Sequence, residues 1–258
     1  EQPGDKGHMY ATNTALTTTY WDAGDKLASM ADGQRRIYTT TVDGATRLPF
    51  TVAGAANLVD TLQVSSATAA EETVTWARSA RFGISTDAKL GAVLTSTPAV
   101  VGPAGRPYWY NFAAPALKAT FDAFQTAAAS RQTLVLFGAK DGALHAVRTF
   151  PADPTNAANG VESWAFIPAK IAQSFFSNKN SGNLTAYPDG SPTVADVRFP
   201  DGTYHTVVVF GYGDGGRSFS ALDITASETT GPLALWHYTP GDEFAGQSQS
   251  KSAIIRAS

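Results

Sequence analysis

No cysteine occurs in the 258 residues, which removes disulfide frameworks, thiolate metal sites and cysteine nucleophiles together. Histidine is scarce. The four histidines, His8, His145, His205 and His237, lie far apart, with no pair at metal-ligand spacing. Basic charge is short as well: 19 Lys and Arg against 22 Asp and Glu give a formal charge of −3 and a pI near 5.8. No basic field is available to hold a phosphate backbone, so a nucleic-acid partner is not expected. No apolar run approaches the roughly 18 to 20 residues of a spanning helix, and Glu1 to Tyr10 has no basic start followed by an apolar stretch. Membrane insertion is therefore not expected, and such a chain is either cytosolic or already processed.

What is present is a hydrophobic share of 43% in 27.1 kDa, enough to bury a core as one large domain or two small ones. From about Leu90 onward, short β-branched and aromatic runs alternate with glycine and proline clusters, the pattern of an all-β domain. Strands are expected at Leu94 to Val101, Thr133 to Gly138, Ala143 to Thr149, Glu162 to Ile167, Pro192 to Phe199, His205 to Gly211, Ser218 to Ile224, Leu233 to Tyr238 and Ser252 to Arg256. "TLVLFG" and "TVVVFG" are nearly continuous apolar runs and should be central.

The same order of segments occurs twice. "STPAVVG", "TLVLFGAKDGALHAV" and "VESWAFIP" are followed by "GSPTVADV", "TVVVFGYGDGGRSFSALDI" and "PLALWHYTP". Phe137-Gly138 corresponds to Phe210-Gly211, Asp141-Gly142 to Asp214-Gly215, Ala146 to Ala221, and Trp164 to Trp236. Four antiparallel strands per unit, repeated, is the sequence form of a β-propeller. "SKSAIIRAS" then reads as the first strand of a third blade. The fold class expected is mainly β: a partial propeller of four-stranded, quinoprotein-like blades with a lead-in hairpin and one or two helices. Two blades and one strand cannot close a ring, which points to a fragment of a larger propeller.

Residues 1–80 form the lead-in segment. "RRIYTTTVDGATRLPFTV" predicts a hairpin turning at Asp43-Gly44, and "ATAAEETVTWARSA" a helix with glutamates early and arginines late. Residues 81–258 form the incomplete propeller. A helix near 114–131, with Leu117, Phe121, Phe124 and Ala128 on one stripe, is inserted between the first and second strands of a blade and packs on the propeller edge.

No motif promotes a catalytic, cofactor-binding or metal-binding residue. Gly211, Gly213 and Gly216 spell G-x-G-x-x-G after an apolar strand, but strand-like "RSFSALDIT" follows where a dinucleotide site needs a helix. A glycine-rich hairpin is the better reading. Asp141 and Asp214 serve turns, and no D-x-D-x-D-G run supplies calcium ligands. His145 matches Ser220 in the other repeat, with nothing nucleophilic or acidic evident beside it, so it reads as structural or edge-exposed. Trp164 and Trp236 read as inter-blade packing. No Asp/Glu couple can be singled out as a glycosidase pair without a fold-level distance.

Taken in order, "KLGAVLTSTPAVVG", "VLFGAKDGALHAV", "ESWAFIPAKI", "YPDGSPTVADV" and "TVVVFGYGDGGRSFSALDIT" resemble the C-terminal propeller of type IV pilus tip proteins of the PilC/PilY family. The likeness runs from about Gln34 to Ser258, with "RRIYTTTVDGATRLPF" and "WARSA" similar to that family's lead-in. It implies an exported protein at the pilus tip, cell surface or outer membrane of a Gram-negative-type bacterium. It further implies docking on minor pilins, support of assembly, opposition to retraction, and adhesion to a host cell or abiotic surface through other regions. The variable N-terminal module of such proteins is not evident in Glu1 to Gln34. The acidic calcium loop of some relatives has no counterpart here, so no cofactor is expected in this chain, with calcium left to other parts of a full-length protein. No Arg-Gly-Asp tripeptide occurs. "AKDGALHAV" before a tryptophan strand also resembles blades of quinoprotein dehydrogenases, which keeps an enzyme as the alternative. An outer-membrane assembly scaffold of the same propeller type is a third.

Overall fold

The computed structural model describes residues 6–80, 88–182, 188–241, 246–248 and 250–255. Strands β1 (Tyr10–Thr12) and β2 (Thr19–Asp22) form a small hairpin, and α1 (Ala23–Ser29) follows. Next come β3 (Ile37–Thr40), β4 (Arg47–Pro49), α2 (Val59–Leu62) and α3 (Ala67–Arg78). The first blade is built from β5 (Ala99–Val101), α4 (Pro115–Ala127), β6 (Thr133–Gly138), β7 (Leu144–Thr149) and β8 (Glu162–Phe166). After α5 (Ala169–Ala172) and α6 (Phe175–Ser181), the second blade contains β9 (Thr193–Arg198), β10 (Tyr204–Gly211), β11 (Phe219–Asp223), α7 (Ser227–Thr230) and β12 (Leu233–Tyr238).

β9 to β12 form one antiparallel meander, and β5 to β8 form another. The repeat read in the sequence is therefore a repeat of register. Phe137 faces His145 and Ala146 faces Trp164 in the first blade; Phe210 faces Ser220 and Ala221 faces Trp236 in the second. The ladder slips just after the alanine in both, between Ala146 and Val147 and between Ala221 and Leu222, a shared bulge that re-aims the outer strand.

The Phe-Gly pairs owe their glycine to close chain approach. A methyl group at Gly138 would strike the Pro188 carbonyl, and one at Gly211 would strike Ser248. In each case the segment leading into the next blade crosses the end of the apolar strand. Those leading segments also clasp each other: Thr95 Oγ1 donates to Asp189 O at 2.9 Å, Ser96 Oγ to Gly190 O at 3.2 Å, and Thr97 N to Ser191 Oγ at 2.9 Å. This explains why only Ala99–Val101 of the expected strand Leu94 to Val101 joins the ladder. The residues before it spend their hydrogen bonds on the next blade. The strand expected at Ser252 to Arg256 is absent over 252–255, and Arg256 lies outside the described residues. A strand requires a ladder partner; among the described residues the segment instead accepts a side-chain bond, from Thr193 Oγ1 to Ser252 O at 2.7 Å.

The lead-in hairpin belongs to the first blade's sheet. β3 pairs in parallel with β8, Ile37 opposite Ala165 and Tyr38 opposite Phe166, so the sheet order is β4-β3-β8-β7-β6-β5. Asp43 makes the turn by accepting from Ala45 N and Thr41 Oγ1, with Gly44 at φ 76. Helix α3 is capped by Ser66, which accepts from Ala69 N.

Three cores result. The main one joins Leu134, Leu136, Trp164 and Phe166 of the first blade to Val208, Phe210 and Leu222 of the second, with α3 and α5 also contributing. On the other face of the first blade, Val135, Phe137 and Val147 meet Trp21 and Leu27 of the β1–β2–α1 unit. The inserted helix α4 packs Phe121 and Phe124 on Tyr204 at the start of β10. Trp164 is 0% exposed between the blades, as the sequence suggested, but Trp236 is 45% exposed. It lies on the equivalent face of the second blade, where no further sheet packs among the described residues.

Candidate functional site

The densest chemistry starts at the β6–β7 turn, "AKDGA", whose adjacent residues carry opposite charges in opposite directions. Lys140 reaches the second blade. Its Nζ is 3.0 Å from Asp189 Oδ2 and 3.0 Å from Asp214 Oδ2. Asp141 turns inward, accepting from Ala143 N and Gly91 N and lying 2.9 Å from His145 Nε2. The other ring nitrogen, Nδ1, is 2.9 Å from Glu162 Oε1. Glu162 is gripped in turn by the Arg35 fork, Nε to Oε2 at 3.0 Å and Nη2 to Oε1 at 2.9 Å. Arg78 of α3 completes the relay by donating to the carbonyls of Arg35, Phe50 and Asp32.

His145 is 1% exposed. Burial by itself favours the neutral ring, but the carboxylates of Asp141 and Glu162 outweigh it and raise its pKa to about 9. Burial likewise works against ionised Glu162, yet Arg35 and His145 hold its pKa well below the usual carboxylate range. Each ring nitrogen of a charged His145 donates to a carboxylate, so it has no lone pair with which to take a proton. The group ties a blade together. The expectation that nothing acidic lies beside His145 is thus corrected. Asp141 was visible four residues away but read as a turn residue, and Glu162 reaches the ring only because of the bulge after Ala146.

The other sequence candidates separate. Gly211, Gly213 and Gly216 lead into β11 rather than a helix, with Gly213 and Gly216 at φ 52 and 138, which is a hairpin connection. Ser220, the counterpart of His145, is buried and bonded to the Tyr212 hydroxyl at 2.8 Å, which also meets His237 Nδ1 at 2.9 Å. Burial raises the pKa of Tyr212, and burial with nearby Lys170 lowers that of His237. A narrow cleft between the lead-in hairpin and the second blade opens onto Trp236 and His237. A second cavity, about 250 Å³, lies within the lead-in beside α3, lined by Asp32, Thr51, Thr75 and Arg78 among others.

His205 sits between Asp223 at 2.7 Å and Thr203 Oγ1 at 2.9 Å, but that hydroxyl is also 2.6 Å from Asp201 and neither cavity reaches it. His8, Asp22 and Asp25 bring ligand-type atoms within 4.8 Å of one another. Each is already engaged: His8 with Asp22 at 2.5 Å, Asp22 with Gly24 N, and Asp25 with Lys6.

A family model described as the PilY1 beta-propeller domain matches residues 90–252. The chain belongs to the PilY1 β-propeller family. It is 31% identical over 95% of its length to the type IV pilus biogenesis factor PilY1 of Pseudomonas aeruginosa strain UCBPP-PA14, covering 22% of that protein. A PilY1 homolog of Xylella fastidiosa is 33% identical over 66% of the chain, which covers 13% of it. The chain thus spans about a fifth or less of these relatives. The crystal structure of the Pseudomonas aeruginosa PilY1 C-terminal domain shares 30% identity over 61% of this chain and 29% of that one, with a TM-score of 0.44. Among the described residues no helix is long and apolar enough to cross a membrane.

Proposed function

We propose that this chain is a non-enzymatic docking body in type IV pilus biogenesis, held outside the cell at the pilus tip. It would sit on minor pilins, support assembly and oppose retraction, while adhesion falls to other regions of the protein. Membership of the PilY1 propeller family carries the reading. Its physical support is the interlocking of the blades: crossed chains at Gly138 and Gly211, the clasp of one leading segment on the next, and Lys140 bridging the blades. A body joined this way suits a part that must resist pulling. The reading needs no cofactor in this chain.

The test is to delete the coding region for residues 90–252 and count surface pili by electron microscopy, alongside a labelled intact copy. Pili should be lost or sharply reduced, with partial return in a background unable to retract. Label confined to the cytoplasm, or unchanged piliation, would sink the reading.

A further inference from the structure

The connection between the first two strands of a blade takes residues 199–203 in the second blade and residues 102–132 in the first. The longer one carries its own small core of Ala104, Phe121, Phe124 and Ala128 against Tyr204. Its turn, Tyr108–Phe112, splits its aromatic residues into two sets. Trp109 stacks on Tyr204, with ring centroids 6.0 Å apart and an interplanar angle of 11°. The Tyr110 hydroxyl donates to Asp122 at 2.7 Å. These two fasten the turn. Tyr108 and Phe112 point the other way and are 82% and 74% exposed, more than any other described aromatic residue. Their centroids are 5.3 Å apart at 54°.

Two cations sit against the same turn, with Lys118 Nζ donating to Asn111 O, next to Phe112, at 3.4 Å. Arg106 and Lys118 both lie over the Tyr110 ring, at 4.7 and 5.4 Å, and Asp122, 3.6 Å from Arg106, is the carboxylate that partners them. The patch is locally positive on a chain of net charge −3. We propose that Tyr108 and Phe112 form a docking knob for a protein partner whose surface offers an apolar cleft with an acidic rim. Two rings inclined at 54° share no flat face on which a sugar could stack, and the Tyr110 hydroxyl beside them is committed internally. Two cations, one already sharing a carboxylate, are too few to hold a bilayer, where polybasic clusters of about four or more are the rule. Exposed Tyr with neighbouring Arg is instead the composition of a protein hot spot. Fixing the knob on a packed turn lowers the ordering cost of binding. Charge complementarity sets the acidic rim.

The test places the photocrosslinker p-benzoylphenylalanine at position 112 of the full-length protein in cells, with position 16, also exposed, as the control. One polypeptide should cross-link at least tenfold more strongly at 112, through a residue flanked by Asp or Glu. Arg106→Glu should cut the yield about tenfold without moving the melting midpoint. The purified partner should bind the double variant Tyr108→Ser, Phe112→Ser at least tenfold more weakly. Equal yields at 112 and 16 overturn the proposal. So do adducts only to lipid or polysaccharide, adducts between two copies of the chain, an unchanged yield in Arg106→Glu, or Tyr108/Phe112-dependent flotation with phosphatidylglycerol–phosphatidylethanolamine vesicles. The inference does not depend on the pilus reading, because a partner unrelated to pili with the stated surface would support the one and count against the other.

Discussion

The two blades share register, bulge and the Phe-Gly ending, yet they differ in what surrounds their outer strands. All five residues of β8 are buried, because β3 pairs with its edge and the second blade covers Trp164. In β12 the corresponding positions are half-buried or exposed, with Leu233, Trp236 and Tyr238 open. The interiors differ as well. Where the first blade places His145 between two carboxylates, the second places Ser220 against Tyr212. Repetition of sequence therefore fixes backbone and register, while burial is conferred by neighbours.

Trp164→Ala offers the largest break in this comparison, costing about 4 kcal/mol in chemical denaturation as a fully enclosed ring is removed. A loss near that of an exposed site would mean that the blades do not pack as described. His145→Ala should cost about 3 kcal/mol by leaving Asp141 and Glu162 as buried, poorly compensated carboxylates; an equal loss in Ser220→Ala would erase the distinction between the interiors. The pH response sharpens the same contrast. The folded pKa of His145 lies above its ordinary value of 6.5, at about 9, so its contribution is complete below about 6.5 and is lost as pH rises through 9. Glu162, shifted downward, stays ionised throughout that range. Stability should fall by about 2 kcal/mol between pH 7 and 9.5, and His145→Gln should flatten that slope. Equal slopes in both proteins would remove the charged ring. The smallest effect is expected at Trp236, where replacement by alanine should cost about 1 kcal/mol or less in this chain.

Much of the blade pattern was legible because it is local. The continuous apolar run of β6 marked its observed limits and that of β10 came within one residue of them, and the Asp-Gly turns placed the hairpins. Less legible was anything set by partner choice. A period-2 pattern reports which face is buried and not which edge is paired, so β3 alongside β8 left no trace in the sequence. Nothing in the sequence marks Lys140, since Asp189 and Asp214 meet it only through blade stacking. The short strands β1 and β2 lack enough alternation to be seen. Tyr108 and Phe112 carry no signal of their own, because four of the five residues in "YWYNF" are aromatic and only packing separates the anchors from the exposed rings.

The pairing of β3 with β8 also has a kinetic side. Arg35 and Glu162 are 127 positions apart, and Arg47 reaches carbonyls of Thr230, Gly231 and Pro232 still further along. During synthesis from the N-terminus, the lead-in hairpin emerges long before either partner, and closing so long a loop delays its docking. Blade formation from β6 and β7 needs only neighbouring chain. In pulse-labelled refolding, the amides of Ala165 and Ile167, which donate to Arg36 O and Tyr38 O, should gain protection after those of β6 and β7. Simultaneous protection would instead make the hairpin part of the folding nucleus. On the late-docking order, the first blade passes through a stage with the edge of β8 open, and the N-terminal segment acts as the latch that shuts it.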